Sequence, residues 1–399
     1  MKVEPYDIVI VGGGLVGNSL ALALANTDWR IAIVETIDYT ERADLGNDNR
    51  AIGLSYTSER ILQKLGVWSH IKEKAHPIDS IHISREGRFG IAKIVAAEQG
   101  LPSLGCHIEI HTLQKALAQH VQVQKNLKLY APYQVTACTR LKEQWQLSLN
   151  EGEENISARL LVAADGSDSW IRRQVGIKAQ VWDYQQSALV SQLSFSRSLQ
   201  RSAYERFTRS GLMAVLPMGD KTATFIGSLP REEAARWQSL SQPDLLSTIQ
   251  AIWGYRLGRL FSVSKPIAYP LKRLRAAEIC REGLVLIGNA AQTVHPVAAQ
   301  GFNLGLRSAM VLAEVLQWAQ QSGRDYSTEA VLKDYVHRQA ADRRQIEVFT
   351  HFLVTRFALD HKFGFYWQSL ALGGLEWMPQ AKSVLARLGL GGAQKSLWV

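Results

Sequence analysis

The sequence predicts a mixed α/β fold of two domains: a sheet-rich α+β domain inserted into a parallel-sheet domain, followed by a helical carboxyl-terminal region. Three observations predict it. The chain opens with an apolar run and closely spaced glycines, alternating apolar and polar residues dominate its middle, and helix-type spacing fills its last quarter. At 399 residues the chain is long enough for two or three domains.

The first element is a buried strand that leads into a glycine-rich turn. Residues 6–11 are apolar and rich in Val and Ile, which is typical of a parallel strand. Gly12, Gly14 and Gly17 follow in the G-x-G-x-x-G spacing, which allows a tight turn, close approach of a pyrophosphate and packing of helix on strand. We predict a helix over residues 15–26, with the free N–H groups around Leu15 facing the pyrophosphate.

A second apolar strand, residues 31–34, ends in Glu35, 18 residues after Gly17. A carboxylate at this place accepts hydrogen bonds from both ribose hydroxyls of an adenosine and repels a 2′-phosphate. The pattern therefore predicts a Rossmann-like domain that binds FAD or NAD rather than NADP.

The composition, 46% hydrophobic and 20% charged, is typical of a soluble globular protein. Cys106, Cys138 and Cys280 are far apart and in no metal-binding spacing, so we expect reduced thiols in a cytoplasmic protein and no metal site. We also expect no signal peptide and no membrane-spanning helix, because the first strand begins early and no apolar window of about 18 residues occurs.

The net charge of +9 is unevenly distributed. From residue 256 to 281 there are seven Lys or Arg and one acid, Glu278. This excess fits a solvated basic face, an anionic membrane surface or a nucleic acid. No aromatic motif of an RNA-binding module accompanies it, so we expect no nucleic-acid partner.

Between these features the chain alternates strands and helices. A helix over 57–65, capped by Ser55 or Thr57, precedes a strand-like segment at 78–103. The next predicted elements are strand 106–110, helix 112–122, strands 127–130, 133–139 and 145–149, a strand running into Asp165, and helix 169–175. Beyond them we predict strands 188–195, 212–217, 222–229 and 283–287, and helices 243–257, 303–320 and 328–357, with a helical tail from about 362.

These elements suggest a discontinuous first domain. We assign residues 1–70, 104–176 and 283–340 to a dinucleotide-binding domain, residues 71–103 and 177–282 to a substrate domain, and residues 341–399 to a helical carboxyl-terminal region.

Three motifs in this order resemble those of the class A flavoprotein aromatic hydroxylases, whose type member acts on 4-hydroxybenzoate. They are the amino-terminal glycines, Asp165 with Gly166, and the stretch 288–307. Segments 288–296, 300–305 and 204–208 resemble the ubiquinone-biosynthesis branch, most closely its 2-polyprenyl-6-methoxyphenol hydroxylases.

The resemblance implies FAD as the cofactor and NAD(P)H as co-substrate. It places Asp165 and Gly166 against the pyrophosphate, and Asn289 beside the ribityl chain, where the family has Asp. It also places the helix that opens at Gln300 against the flavin edge, where helix N–H groups stabilise negative charge. The resulting cofactor-binding set is Gly12, Gly14, Leu15, Gly17, Glu35, Arg50, Gln114, Asp165, Gly166, Asn289, Gly301, Phe302 and Asn303.

The residues that the resemblance places near the reactive part of the flavin are His295, Pro296 and Arg50. Considered alone, His295 also fits a structural role, which is commoner for a single histidine. Ala299 stands where the family generally has Gly, and Ser308 where it often has Asp. Both departures bear on flavin mobility rather than on the fold.

The implied reaction is that of a flavin monooxygenase. NAD(P)H reduces FAD, O2 adds at C4a, and the C4a-hydroperoxyflavin transfers its distal oxygen to an electron-rich phenol. The subgroup implies para-hydroxylation of a membrane-borne 2-polyprenyl-6-methoxyphenol, with O2 and the polyprenylphenol as partners. Hydroxylation at another ring position, a flavin dehydrogenase or reductase of a lipid, an RNA-binding flavoprotein, and a non-catalytic subunit of a ubiquinone-biosynthesis complex remain alternatives.

The carboxyl-terminal region from residue 347 is dense in aromatic and Leu residues, and basic residues outnumber acidic ones after residue 356. This fits either packing on the first domain or peripheral contact with the inner face of the cytoplasmic membrane. We expect the latter for part of it, together with a possible complex with other ubiquinone-biosynthesis proteins.

Overall fold

A computed structural model describes residues 3–38, 50–87, 91–295 and 299–352. In chain order the strands β1 to β20 are Glu4–Val11, Ile31–Val34, Ala51–Ser55, His76–Ile78, Ser80–Arg85, Ile91–Val95, Gly105–Glu109, Leu127–Tyr130, Val135–Leu141, Gln144–Leu149, Glu154–Ala163, Ala179–Phe195, Ser202–Phe207, Leu212–Pro217, Thr222–Pro230, Leu260–Val263, Ile267–Ala276, Cys280–Arg281, Leu284–Leu286 and Gln292–Thr293. The helices α1 to α9 are Leu15–Ala23, Tyr56–Lys64, Trp68–Ile71, Ile110–Gln122, Trp170–Gln174, Arg231–Ser239, Gln242–Trp253, Gln300–Gln321 and Glu329–Phe352.

The first sheet has a parallel centre in the order β19-β11-β1-β2-β8. The apolar run of β1 is buried on both faces, as expected for a central parallel strand. Ile8 and Ile10 pack in one core with helices α1, α4 and α8, whereas Val9 packs in a second core with the antiparallel strands β9 and β10. The carboxyl ends of β1, β2 and β11 meet at one edge, so the turns that follow them lie together.

The second sheet has the order β20-β17-β12-β15-β14-β13-β5-β6, with β16 also paired to β12. On one face, Leu189, Val215 and Phe225 form a core with Trp237 of α6 and Trp253 of α7. The other face is left without this helical layer. It carries half-buried residues such as Val190 and Ile226, and it borders the site described below.

A small sheet, β3-β7-β4, lies between the two larger ones. Strand β3 pairs with β7 from Ala51 to Ser55, and Ser55 caps α2 by accepting a hydrogen bond from the Ser58 N–H at 3.2 Å. On β7, the buried His107 lies close to Gly53 of β3. The small sheet thus connects α2 of the first domain to the inner edge of the second sheet.

The predicted fold class is confirmed: a parallel-sheet domain is combined with a sheet-rich second domain, and a helix ends the described residues. Several strands begin and end where predicted, including Ile31–Val34, Leu127–Tyr130 and Leu212–Pro217. Helix α1 is shorter than predicted and ends at Ala23. Helix α7 ends at Trp253, because Gly254 adopts a positive φ of 59°.

The domain boundaries proposed from the sequence remain an interpretation, but the structure locates the elements near them. The second sheet uses strands between residues 80 and 95, between 179 and 276, and at 292–293, whereas His76–Ile78 pairs within the small sheet. Helix Glu329–Phe352 runs through the proposed boundary at residue 340. No helix in the part of the chain that the structure describes is long and apolar enough to cross a membrane. The predicted end of the preceding helix at residue 357 and the predicted helical tail from about residue 362 lie outside the described residues.

Candidate cofactor and substrate site

Of the three glycines in the G-x-G-x-x-G spacing between β1 and α1, two are confined and one is open. Gly12 has a φ of 106°, donates its N–H to the Val34 carbonyl at 2.8 Å, and leaves no room for a Cβ against the Ala164 carbonyl. A Cβ on Gly17 would overlap the Gly12 carbonyl oxygen. A Cβ on Gly14 would meet no atom within 4 Å. Two glycines therefore fix the turn, and Gly14 faces open space at the positive end of α1.

Glu35 follows β2 at the same edge of the sheet. Its Oε1 accepts hydrogen bonds from the Ile37 N–H and the Thr36 hydroxyl, both at 3.1 Å. Burial raises the pKa of this carboxyl, and these hydrogen bonds oppose the rise. A half-buried carboxylate beside the glycine turn suits hydroxyl donors such as those of a ribose.

Asp165 and Gly166 form the turn after β11. Asp165 Oδ2 accepts a hydrogen bond from the Ile171 N–H at 3.0 Å, while its Oδ1 is buried with no hydrogen-bond partner among the described residues. A Cβ on Gly166, whose φ is 84°, would meet nothing within 4 Å. A buried acceptor without a partner beside open space indicates that a ligand donor completes this turn.

Arg172 of α5 ties this turn to the next one along the sheet. Its guanidinium donates to the Ser167 carbonyl and to the Ala290 carbonyl, both at 2.8 Å. Ala290 ends a 3-10 turn, Gly288–Ala290, in which Asn289 is exposed and has no hydrogen-bond partner among the described residues. The Asn289 amide is therefore available to a ligand.

Helix α8 approaches the same turn closely. A Cβ on Gly305 would lie 2.8 Å from the Val16 side chain, and one on Gly288 would lie 3.3 Å from it. The absence of side chains at both glycines lets α1, the Gly288–Ala290 turn and α8 converge.

The amino end of α8 is held by Asn303 rather than by a helix-capping side chain. Asn303 Oδ1 accepts hydrogen bonds from the Ser55 N–H at 3.0 Å and the Ser58 hydroxyl at 2.6 Å. Its amide nitrogen donates to the Gly53 carbonyl at 3.0 Å and the Ala299 carbonyl at 2.7 Å. All four hydrogen-bonding positions of this side chain are thus used by the protein.

Ala299, the residue before this helix, has a φ of 50°, in the left-handed region that favours glycine. A glycine, which the family resemblance implies at this position, would adopt this φ without strain. Gly301 faces open space, whereas the Phe302 side chain packs into the first domain's core. Predicted cofactor contacts of Phe302 and Asn303 are therefore restricted to their main-chain groups.

His295 is 1% exposed, and burial lowers its pKa to about 4. The edge of its ring meets the ring of Tyr184, with centroids 5.0 Å apart and an interplanar angle of 89°. The imidazole is consequently neutral near pH 7. Pro296, predicted beside it, lies outside the described residues.

Arg50 borders a cavity between the two domains. Its guanidinium stacks over the ring of Tyr269 at 4.9 Å, and its carbonyl accepts a hydrogen bond from the Ile110 N–H at 3.0 Å. The cavity has a volume of 470 Å³, and Val190 and Ile267 contribute apolar surface to it.

Gln114, also predicted as a cofactor residue, is half-buried on α4, and none of the described residues forms a hydrogen bond with it.

His107 joins the domains from the other side of the small sheet. Its imidazole hydrogen-bonds the Pro217 carbonyl at the end of β14, and burial lowers its pKa to about 4.

Sequence reasoning missed His107, Arg172 and Tyr269 as site residues. A polar residue inside an otherwise apolar strand was the available signal for His107. Arg172 and Tyr269 gave no local signal.

The residues present fit an FAD molecule. Three glycines of the predicted set, Gly14, Gly166 and Gly301, face open space, and Asn289 and Asp165 offer polar atoms that have no hydrogen-bond partner in the part of the chain that the structure describes. The turns that carry Gly14, Gly166 and Asn289 follow β1, β11 and β19 at one edge of the sheet, as expected for a dinucleotide site, and Gly301 lies in the first turn of α8. Individual contacts with the cofactor remain predictions.

Comparison with known proteins agrees with this arrangement. Residues 5–349 match the FAD binding domain family. A 3-demethoxyubiquinol 3-hydroxylase of Escherichia coli (strain K12) is 33% identical over 344 residues, covering 86% of this chain and 87% of that protein. The ubiquinone hydroxylase UbiL of Rhodospirillum rubrum is 30% identical over 385 residues, covering 96% and 89%. Among solved structures, p-nitrophenol 4-monooxygenase PnpA of Pseudomonas putida DLL-E4 has a TM-score of 0.78 at 16% identity, covering 98% and 100%.

Proposed function

We propose, from the premise that this chain belongs to the FAD binding domain family, that it hydroxylates a membrane-borne polyprenylated phenol, with 2-polyprenyl-6-methoxyphenol as the favoured substrate. At the coarser level, the chain is an FAD-dependent monooxygenase of the ubiquinone-hydroxylase group. We include in this proposal the identity of the phenol, the ring position that is hydroxylated and the use of NAD(P)H as the reductant.

The observation that carries the proposal is the cavity beside Arg50. Arg50 of the first domain lines it together with residues of the second domain, among them Val190, Pro266 and Ile267. Polar side chains, among them Gln192, Gln238 and Lys265, line it beside these apolar groups, and this mixture suits a phenolic ring that carries an apolar tail.

Bound FAD, reduced by a nicotinamide and reoxidised by O2, would supply the oxygen atom that is transferred to the ring. The chain's own residues would position and shield that chemistry. The main-chain N–H groups at the start of α8, around Gly301, would stabilise negative charge on a cofactor edge placed there. His295 would line the site as a neutral ring, and Arg50 would provide a fixed positive charge held by Tyr269.

A second candidate is hydroxylation of a demethoxyubiquinol, a later ubiquinone precursor. The E. coli relative, at 33% identity, is named for that reaction. Both substrates combine a phenolic ring with an apolar tail, so the cavity does not distinguish them.

We also propose that the second domain contacts an anionic membrane. The basic and aromatic surface, which we define as Tyr255, Arg256, Arg259, Phe261 and Lys265, leads into the cavity lining at Lys265. Tyr255 and Phe261 are 72% and 64% exposed although both are large and apolar. Exposed aromatic groups among cations suit the interface of an anionic bilayer.

The test is anaerobic reduction of the FAD-loaded protein by NADH or NADPH, followed by mixing with O2 in the presence or absence of a short-tailed 2-prenyl-6-methoxyphenol. We expect substrate-dependent formation of a product one oxygen atom heavier, identified by mass spectrometry. A parallel reaction with a short-tailed demethoxyubiquinol tests the second candidate. The proposed function would be contradicted if O2 reoxidised the reduced protein with release of hydrogen peroxide, and no hydroxylated product formed with any of the phenols.

A further inference from the structure

The uncovered face of the second sheet carries a row of directly paired residues that crosses six strands. The pairings run from β5 through β13, β14, β15 and β12 to β17. Directly paired residues of neighbouring strands point to the same face, so the row is continuous. Its members are Ile83, Glu205, Ala214, Ile226, Val190 and Ile267.

Glu205 is the single ionisable residue of this row. Its neighbours Ile83 and Ala214 are apolar, and the carboxylate has no hydrogen-bond partner among the described residues. Partial burial of a carboxylate without a hydrogen-bond partner costs free energy of folding. The presence of Glu205 at this position therefore indicates that it binds a ligand or has another function.

The charged groups on the strands next to Glu205 do not neutralise it. His82 stacks on Tyr204, and Arg206 donates to the Ser84 hydroxyl, so all of these lie on the opposite face. Arg85 shares the face of Glu205 but is two residues further along β5, and β14 carries no ionisable residue. Burial is therefore the cause that raises the pKa of Glu205 to about 7.

The row connects this carboxylate to the cavity. Val190 and Ile267 line the cavity beside Arg50, and Glu205 lies three strands from Val190, roughly 14 Å away at the usual strand spacing. Ile226 and Val190 are half-buried, whereas Ala214 is buried and Ile83 packs against a small core of Ile94, Ala96 and Leu104. An elongated molecule that combines a phenolic ring with an apolar tail matches the length of this row.

We propose that Glu205 contacts the substrate and accepts the phenolic proton. This rests on the proposed function, because it requires a phenol as substrate. The phenolic O–H bond breaks, the proton passes to a carboxylate oxygen of Glu205, and the electron pair stays on the phenolic oxygen. The ring becomes more electron-rich and therefore more reactive toward an electrophilic oxygen. A carboxylate of raised pKa is a stronger base than an exposed one and suits this step.

Glu205→Gln tests the assignment, with Glu232→Gln as the matched control. Glu232 is an exposed carboxylate of α6, so its substitution removes the same charge away from the row. Each variant is loaded with FAD, and hydroxylation of a short-tailed 2-prenyl-6-methoxyphenol is measured from pH 5.5 to 8.5. We expect Glu205→Gln to lose about 100-fold or more in product formation, with FAD content unchanged. The wild type and Glu232→Gln should gain activity as the pH rises through about 7.

Two further measurements separate proton acceptance from a structural role. Glu205→Asp, which keeps a carboxylate, should recover part of the lost activity. The methyl ether of the same phenol, which has no proton to give, should bind Glu205→Gln and the wild type equally, as followed by perturbation of flavin absorbance. In the absence of FAD and substrate, the melting temperature of the wild type should fall relative to Glu205→Gln as the pH rises from about 4.5 to 7.

The outcomes also distinguish the inference from the proposed function. If the wild type hydroxylates the phenol and Glu205→Gln does so equally well, the inference is wrong and the proposed function stands. If the wild type hydroxylates no phenol, both are wrong. If Glu205→Gln fails to fold, a wild-type pH profile that is flat across pH 7 would still overturn the assignment.

Discussion

Arg307 and Asp342 form a buried two-point ion pair between the two long helices α8 and α9. Arg307 donates from Nε at 2.8 Å and from Nη2 at 3.1 Å to the two carboxylate oxygens, and the side chains are 3% and 2% exposed. The pair lies two turns into the helix whose amino end faces the predicted flavin position. It therefore links α9 to the element on which the cofactor site depends.

Asp342→Asn should destabilise the protein by about 3–5 kcal/mol, because it leaves a buried guanidinium without its counter-ion. The surface pair of Arg324 with Asp334, at 3.6 Å and with both side chains about two-fifths exposed, provides the control. Asp334→Asn should change stability by less than about 1 kcal/mol. Chemical denaturation of both variants gives their free energies of unfolding. Equal losses of stability would show that the buried pair contributes no more than the surface pair.

Gly14 and Gly17 should respond to substitution in opposite ways. A Cβ on Gly17 overlaps a backbone carbonyl, so Gly17→Ala should cost about 3 kcal/mol or more and lower the yield of folded protein. Gly14 has room for a side chain and an ordinary extended backbone, so Gly14→Val should remain folded but purify without yellow colour. Circular dichroism and flavin absorbance separate the two effects. Full FAD content in Gly14→Val would remove the first turn from the cofactor site.

The contrast shows what the sequence could and could not establish. The glycine spacing predicted the turn and its direction, because each glycine acts within a few residues of its own position. It did not distinguish glycines that are required by packing within the protein from glycines that leave room for a ligand. That difference depends on Ala164, which follows the distant strand β11, and on the open space above Gly14.

The same limit explains the elements that were missed. Helix Arg231–Ser239 is mostly polar and buries little beyond Ala234 and Trp237, so its apolar spacing was too sparse to predict it. Strand Ala51–Ser55 exists because it pairs with Gly105–Glu109, more than 50 residues away. Asn303 looked like a cofactor residue from its motif, but tertiary contacts with Gly53, Ser55 and Ser58 occupy its side chain.

His107 should make the stability of the protein depend on acidity. Its pKa is lowered to about 4 in the folded protein, against 6.5 for the unfolded chain, so the unfolded state binds the proton first. The stability due to the neutral ring is present above about pH 6.5 and is lost as the pH falls toward 4, by up to about 3 kcal/mol.

His107→Gln should therefore flatten the pH dependence of unfolding between pH 6.5 and 4, while costing some stability at pH 7 through the lost contact with Pro217. His120, which is half-buried on α4 and hydrogen-bonds the Ala116 carbonyl at 2.8 Å, serves as the control in His120→Gln. Denaturant melts at four pH values are sufficient. An unchanged pH slope in His107→Gln would mean that this ring is not titrating as inferred.

The basic and aromatic surface of the second domain should hold the enzyme on anionic bilayers. Replacing Tyr255 and Phe261 by Ser, and Arg256 and Arg259 by Glu, removes two exposed apolar groups and reverses two charges. Each cation near an anionic surface contributes about 1 kcal/mol, so binding to phosphatidylglycerol vesicles should fall at least about tenfold. FAD content should not change, because the surface is remote from the glycine turns of the first domain.

The control for this surface is an exposed aromatic ring that lies beside an arginine elsewhere on the protein, Trp318 with Arg324, whose guanidinium stacks over the ring at 5.0 Å. Trp318→Ser combined with Arg324→Glu makes the same kind of change and should leave vesicle binding intact. Co-sedimentation at two salt concentrations measures the vesicle binding of both variants, and the wild-type affinity should decline as salt screens the charges.

In the variant of the basic and aromatic surface, turnover of a long-tailed phenol in vesicles should fall together with binding. Turnover of a short-tailed analogue in solution should persist, because only the long-tailed substrate must be drawn from the bilayer. If both variants bind vesicles like the wild type, the surface is a solvated basic face, and membrane contact must come from elsewhere in the chain.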